Sequence, residues 1–275
     1  DHTVKLYYGM SIQNTYPSSC EMYGHDLTQT DVYADNIKAN IGDSIVNLFD
    51  RRGQDSHASD FKPKSVTGQT RLNIEDVDLM IYAGHGYARN RDETEGKFEY
   101  NSMHFATSDS GGVHPQGEGR IDSVNVTTSD LLSFGQGTHT KWVVAYTCNF
   151  LNTKQEDPNV MHLLDNGGRL VMGLSSKSLV VGEEGIKFAK RLKEGETFGE
   201  AYLGAARDIH DKSIIDIDNL TSHKKIYSIL YYGPEDGGTL NDTIFNYNPP
   251  SYDRSQIRIK KETVHKKSVR DPEEF

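Results

Sequence analysis

Two short apolar runs constrain this chain more than any other feature. The first is Val77-Asp78-Leu79-Met80-Ile81-Tyr82-Ala83-Gly84, followed by His85-Gly86. The second is Trp142-Val143-Val144-Ala145-Tyr146-Thr147, followed by Cys148. Apolar runs of this length, rich in aromatic and β-branched residues and bounded by polar chain, read as strands covered on both faces. Such strands belong to parallel sheets, and the 63 residues between His85 and Cys148 are ample for a crossover between parallel neighbours. Strand and helix patterns alternate along the chain with no internal repeat. This implies an α/β fold whose mainly parallel sheet is covered by helices on both faces. Ligands in such folds bind at the carboxyl ends of the strands, where both His85 and Cys148 emerge.

The remaining elements follow from local signals. Val4 to Ile12 reads as a first strand. Thr30 or Asp31 caps a helix expected to run to about Phe49, since Ile37, Ile41, Ile45 and Leu48 recur at helical spacing. Arg51 to Thr70 reads as polar and irregular. A strand or hairpin is expected near Phe98 to Phe105 and a short helix from Thr128 to Phe134. Asp157-Pro158 supplies a cap and a first-turn proline for a helix through Leu164. Arg169 to Leu174 is a strand, and Gly182 to Lys193 a helix with Ile186, Ala189 and Leu192 on one face. Thr197-Phe198-Gly199-Glu200 is a capping box opening a helix to about Ile209, and Ile226 to Tyr232 is a last strong strand. We expect residues 1–236 to form the α/β domain. Residues 237–275 then form a C-terminal extension, packed on the domain or partly disordered, with the charged tail from Lys260 as an edge strand at most.

Composition narrows the function classes. Apolar runs reach only about eight residues, too short for a membrane-spanning helix. A net charge of −10 and a pI near 5.5 argue against general nucleic-acid binding, which needs a basic surface. They suit a soluble protein, or one that takes a basic substrate. Asp1 in place of an initiator Met is what removal of a secretion signal leaves, and a cloning boundary leaves the same. Cys20 and Cys148 are too few for a disulfide scaffold. One bond between them stays open, although a nucleophilic role needs Cys148 as a thiol.

A cysteine and a histidine at one sheet edge make a nucleophile and its base. A thiol titrates near ~8.5, and an adjacent imidazole accepts its proton or pairs with the thiolate. Gly86 lacks a Cβ, so its N–H can approach a substrate carbonyl. With the N–H of Cys148 it would form an oxyanion hole, an effect worth roughly 3 kcal/mol per donor. Against this stand simpler readings: Cys148 as a small buried hydrophobe and His85 as a turn residue. No tight metal-ligand spacing joins His85, His104, His114 and Cys148, so neither a metal nor a cofactor is implied. Asp76 and Asp78 lie at the wrong end of the histidine strand to orient His85 and read as solvated.

The order of apolar strand, His-Gly, long insert, apolar strand and Cys resembles the caspase-type (clan CD) cysteine peptidases. The series after Cys148 is similar to the bacterial, gingipain- and clostripain-like members. It runs through the strand Gly168 to Leu174, Phe188 and Leu192-Lys193-Glu194-Gly195, then Thr197-Phe198-Gly199-Glu200-Ala201, and closes on Tyr231-Tyr232-Gly233-Pro234. The resemblance covers roughly residues 72–236. Asp76 to Gly86 with Trp142 to Leu151 also resembles a secreted bacterial family of unassigned function. The clan resemblance implies a caspase-like three-layer sandwich, His85 as base, Cys148 as nucleophile, and oxyanion N–H groups from Gly86 and Cys148. It also implies a peptide or protein substrate, no cofactor, and a pocket formed by Ser175, Ser176 and the chain to Ser178, with Asn149 beside it. Glu183 and Glu184, just beyond the pocket strand, are placed to select Arg or Lys, or simply to stabilise a helix N-terminus. A secreted or cell-surface setting goes with the bacterial members, and a cytoplasmic one is the alternative.

The sequence departs from that pattern around the cysteine. Ala145-Tyr146-Thr147 precedes it where many relatives carry a small or acidic residue, and Asn149-Phe150 follows where caspases have Arg-Gly. Two further readings therefore stand beside a cysteine peptidase: a binding or scaffold module that keeps the fold without turnover, and a metal-dependent hydrolase using His85 and Cys148 as ligands.

Overall fold

Leu79–Ala83 and Trp142–Tyr146, the strands of the two apolar runs, are buried at every residue and lie side by side in parallel. In the computed structural model, residues 5–14, 27–62, 64–67, 70–92, 97–105, 125–127, 140–152, 164, 168–176, 180–210, 224–235, 237–247 and 253–265 are described. The strands are β1 (Leu6–Ile12), β2 (Ile45–Arg52), β3 (Leu79–Ala83), β4 (Gly86–Asp92), β5 (Lys97–His104), β6 (Asn125–Thr127), β7 (Trp142–Tyr146), β8 (Leu170–Leu174), β9 (Lys224–Tyr232) and β10 (Ile257–His265). Seven of them form one sheet in the order β10-β9-β8-β7-β3-β1-β2, and β4, β5 and β6 form a second, small antiparallel sheet. In the large sheet β2, β1, β3, β7 and β8 are mutually parallel, while β9 runs antiparallel to β8 and β10 antiparallel to β9.

Strict alternation divides the core. Leu79, Ile81 and Ala83 of β3, with Trp142, Val144 and Tyr146 of β7, face three helices: α1 (Thr28–Asn40), α2 (Gly182–Lys193) and α3 (Phe198–Ile209). Met80, Tyr82, Val143 and Ala145 face the other way. They pack on Ala58 and Phe61 of a 3-10 turn, on Met103 and Phe105 in and just after β5, and on Phe150, Leu151 and Leu164. Both faces are thus covered, which is why these strands show continuous apolar runs. The expected helix from Asp157 falls outside the described residues apart from Leu164, as does the one from Thr128.

The structure corrects three expectations. The helix beginning near Thr30 ends at Asn40, and Ile45–Arg52 is a strand paired in parallel with β1. Gly42 has φ of 76°, a left-handed turn that stops the helix. Isoleucines four apart satisfied a helical period across a boundary that the chain does not cross as helix. The stretch from Arg51 is not a loose loop either. It holds two 3-10 turns, Gly53–Asp55 and Ala58–Phe61; Ser56 between them and Ser59, Asp60 and Phe61 of the second are buried. Asp78 is not solvated: it is 8% exposed, accepts from the Tyr7 N–H at 2.8 Å and pairs with Lys141. Helix α2 covers the residues expected, and the Thr197 hydroxyl caps α3 by accepting from the Glu200 N–H at 3.1 Å. Part of the C-terminal stretch is integral to the sheet, because β10 pairs with β9 along nine residues.

Candidate functional site at the carboxyl edge of β3 and β7

The register of β3 and β7 ends at Ala83 against Tyr146, and the ladder continues one step as the Gly84 N–H donates to the Tyr146 carbonyl at 3.4 Å. From these two strand ends the chain continues into His85 on one side and, through Thr147, into Cys148 on the other. The main-chain approach is close enough to exclude a side chain at Gly86. A Cβ built there would lie 3.0 Å from the Cys148 nitrogen and overlap the Cys148 carbonyl oxygen and Thr147 Oγ1. His85 and Cys148 are each partly exposed, and Cys148 is in no disulfide. Cys20 lies outside the described residues. Gly86 itself opens β4 and pairs with Met103 of β5. The histidine therefore sits at the junction of the two sheets.

Each of these residues is held by the layer behind it. The Tyr82 hydroxyl donates to the His85 carbonyl at 3.0 Å, and the Tyr82 ring packs against Phe105 and Phe61 with centroids 5.0 and 5.7 Å away. The turn after Cys148 is pinned by the neighbouring strand. Asn149 adopts φ of 57°, its N–H donates to the Ser176 carbonyl at 3.0 Å, and the Leu151 N–H donates to Leu174 at 2.9 Å. A left-handed non-glycine residue carries strain that its surroundings must hold in place, and asparagine tolerates it best. Thr147 Oγ1 is buried beside Gly86 and has no hydrogen-bond partner among the described residues.

The substrate residues expected from the sequence divide. Ser175 and Ser176 do lie next to the cysteine turn, but their hydroxyls serve the scaffold. Ser175 donates to the Leu151 carbonyl and shares a 2.5 Å hydrogen bond with Ser228, while Ser176 Oγ accepts from the Ile226 N–H at 2.9 Å. Glu183 is exposed on the first turn of α2. Glu184, one residue on, is 2% exposed and already holds a cation, the chain's own Lys225, at 2.7 Å. Tyr227 donates to the same carboxylate at 2.7 and 2.8 Å, and His210 Nε2 lies 2.8 Å from it. Burial works to raise the Glu184 pKa, but Lys225 and His210 outweigh it and bring the group from 4.5 to about 2. Lys225 also donates to the Tyr146 hydroxyl and lies 4.6 Å from the centre of that ring.

Among the described residues, no group of three His, Cys, Asp or Glu side chains could hold a metal ion. No helix among them is long and apolar enough to cross a membrane. A second buried carboxylate lies under the same edge on the opposite face. Asp60 is paired with Arg51, lies 3.3 Å from Arg71, and accepts from the Ser11 hydroxyl at 2.7 Å and the His57 N–H at 3.0 Å.

Residues 13–245 match the domain of unknown function DUF6345. The chain belongs to that family. No curated protein sequence is similar to it. Among solved structures, this DUF6345 chain is similar to the complex of the pro- and mature domains of RgpB from Porphyromonas gingivalis, with a TM-score of 0.39 and 11% identity over 74% of this chain and 42% of that one. It is also similar to the Arg-specific cysteine proteinase gingipain R (RgpB), with a TM-score of 0.37 and 12% identity over 72% of this chain and 40% of that one. The DUF6345 chain spans about two fifths of the length of these structures.

Sequence reasoning missed Tyr82, Tyr146, Lys225 and His210. The tyrosines are hidden because a strand-end tyrosine looks like any aromatic strand residue. A signal for Glu184 did exist: it lies four residues before Phe188, on the stripe that α2 buries through Phe188, Ala189 and Leu192. A carboxylate on a buried stripe needs a buried cation.

Proposed function

We propose that this chain is a caspase-type cysteine peptidase-like hydrolase in which Cys148 is the nucleophile and His85 the base. The observation that carries the reading is the parallel adjacency of β3 and β7, with Gly86 set against the Cys148 backbone and the Thr147 hydroxyl. The Cys148 thiolate attacks the carbonyl carbon of a peptide bond, forming a C–S bond. Negative charge on the carbonyl oxygen is met by the N–H groups of Cys148 and Gly86. The C–N bond then breaks, and His85 gives its proton to the departing amine. Water attacks the thioester, His85 takes the water's proton, and the cleaved C–S bond returns the thiolate. The substrate is a peptide or protein, and the acidic chain favours a basic one. A secreted or cell-surface setting goes with the resemblance to bacterial peptidases.

Selective alkylation tests the dyad. Iodoacetamide should label Cys148 at least tenfold faster than Cys20 at neutral pH, with the sites told apart by peptide mass, and His85→Ala should remove most of that advantage. Equal rates at the two cysteines, or no effect of the histidine, would exclude it.

A second reading is a binding module that keeps the fold without turnover. The internal commitments of Ser175, Ser176 and Glu184 favour it, since these three groups, expected beside a substrate side chain, already serve the scaffold. A peptide-library screen separates the two. Cleavage by the wild type that disappears in Cys148→Ala excludes the module, and binding without cleavage by both proteins excludes the hydrolase.

A further inference from the structure

Five strongly polar side chains are buried in one place behind the cysteine turn. They come from four elements: Tyr146 from β7, Glu184 from α2, His210 from the end of α3, and Lys225 and Tyr227 from β9. Burying a charged pair away from water is costly, and replacing it with apolar side chains is often neutral or stabilising. Cohesion alone is therefore a weak reason for its presence. What the cluster has instead is position. Tyr146 is the last residue of β7, two before Cys148, and its carbonyl accepts from Gly84, one before His85. Its hydroxyl is fixed by Lys225, and Lys225 by Glu184. The residue after Lys225 closes the circuit from the other side. The Ile226 N–H donates to Ser176 Oγ at 2.9 Å, the Ile226 carbonyl accepts from Ser175 at 2.9 Å, and the Ser176 carbonyl holds Asn149, the residue after the cysteine. The chain on both sides of Cys148 is thus referred to the same two residues of β9.

We infer that the Glu184–Lys225–Tyr146 network is a positioning device that sets the cysteine turn against the His85 strand end. Its members are positioning residues, and none of them needs to touch a substrate. The inference rests on the hydrolase reading, because what it positions is the Cys148–His85 pair. Tyr33, whose ring centre lies 4.6 Å from that of Tyr146, supports the tyrosine from α1, and Tyr227 orients the carboxylate from below.

The test is the pH profile of Cys148 alkylation by iodoacetamide, measured by peptide mass on the full chain. Tyr146→Phe keeps the ring and removes only the hydroxyl. It should lower the Cys148 rate at neutral pH by roughly tenfold, since small misplacements of paired groups cost rates of this order or more. It should also move the rate midpoint up towards that of an ordinary thiol, near ~8.5. Glu184→Gln, which keeps hydrogen-bonding capacity without the charge, should act in the same direction. A residue that merely stabilised the fold would lower the melting temperature and leave the midpoint in place. The inference is overturned if both variants fold and alkylate with the wild-type rate and midpoint. If wild-type Cys148 itself titrates as an ordinary thiol, the hydrolase reading fails and takes this inference with it. If wild-type Cys148 is activated and the variants match it, only the inference fails.

Discussion

At Gly86 the space for a side chain is taken by the Cys148 main chain and the Thr147 hydroxyl. A methyl group there would overlap the Cys148 carbonyl oxygen and Thr147 Oγ1, both carried by a turn that Asn149 and Leu151 anchor to β8. Neither side can yield cheaply, so Gly86→Ala should destabilise the fold by about 1–3 kcal/mol and slow Cys148 alkylation. Urea denaturation and the alkylation assay check both, and an alanine variant with wild-type values would show that the two strand ends are not in contact. His85, Gly86 and Cys148 were legible in the sequence because each follows an apolar run whose end is set locally. Tyr82, Tyr146 and Lys225 were not. A tyrosine or a lysine acquires its role only from the groups it meets, and Lys225 and Tyr146 are 79 residues apart.

Among the elements, the amino edge of the sheet shows the same dependence on distant partners. Asp242, just after the 3-10 turn Gly238–Asn241, is buried and accepts from Arg169 at 2.5 and 2.6 Å and from the Trp142 indole at 3.0 Å. It ties the chain beyond residue 236 to the first residue of β7 and the residue before β8. Asp242→Ala leaves the Arg169 guanidinium buried without its partner and should cost about 3–5 kcal/mol, read as a lower urea midpoint. A loss below 1 kcal/mol would mean that water reaches Arg169 freely. The expected boundary at 236 rested on the polar composition of the following residues, which conceals such an anchor. The misread helix end near Gly42 has a related cause. Ile37, Ile41 and Ile45 fit one helical stripe, but the last of them is drawn into β2 by pairing with Leu6, and no local window contains that partner.

For the whole molecule, the buried Glu184 carboxylate gives a pH dependence whose sign can be stated. Among the described residues, the groups facing Glu184 are Lys225, His210, Tyr227, Tyr146, Tyr33 and Tyr202. Its folded pKa of about 2 lies below the ordinary 4.5, so it contributes stability that is fully present above pH 4.5 and lost as pH falls towards 2. Urea titrations across that window should show the wild type losing stability more steeply than Glu184→Gln, by up to about one bound proton. Parallel curves would mean that Glu184 is not held as an ion in the fold. By itself the sequence determined the α/β class, the strand–helix–helix–strand order from Arg169 to Tyr232, and the emergence of a histidine and a cysteine at one edge. These follow from periodicity, caps and apolar runs, which act over a few residues. Only the tertiary structure decided that β2 is a strand, that β10 completes the sheet, and that Glu184 faces Lys225 rather than a ligand. Each of these depends on which distant residues share a desolvated space, and there a charge must find its partner within the chain.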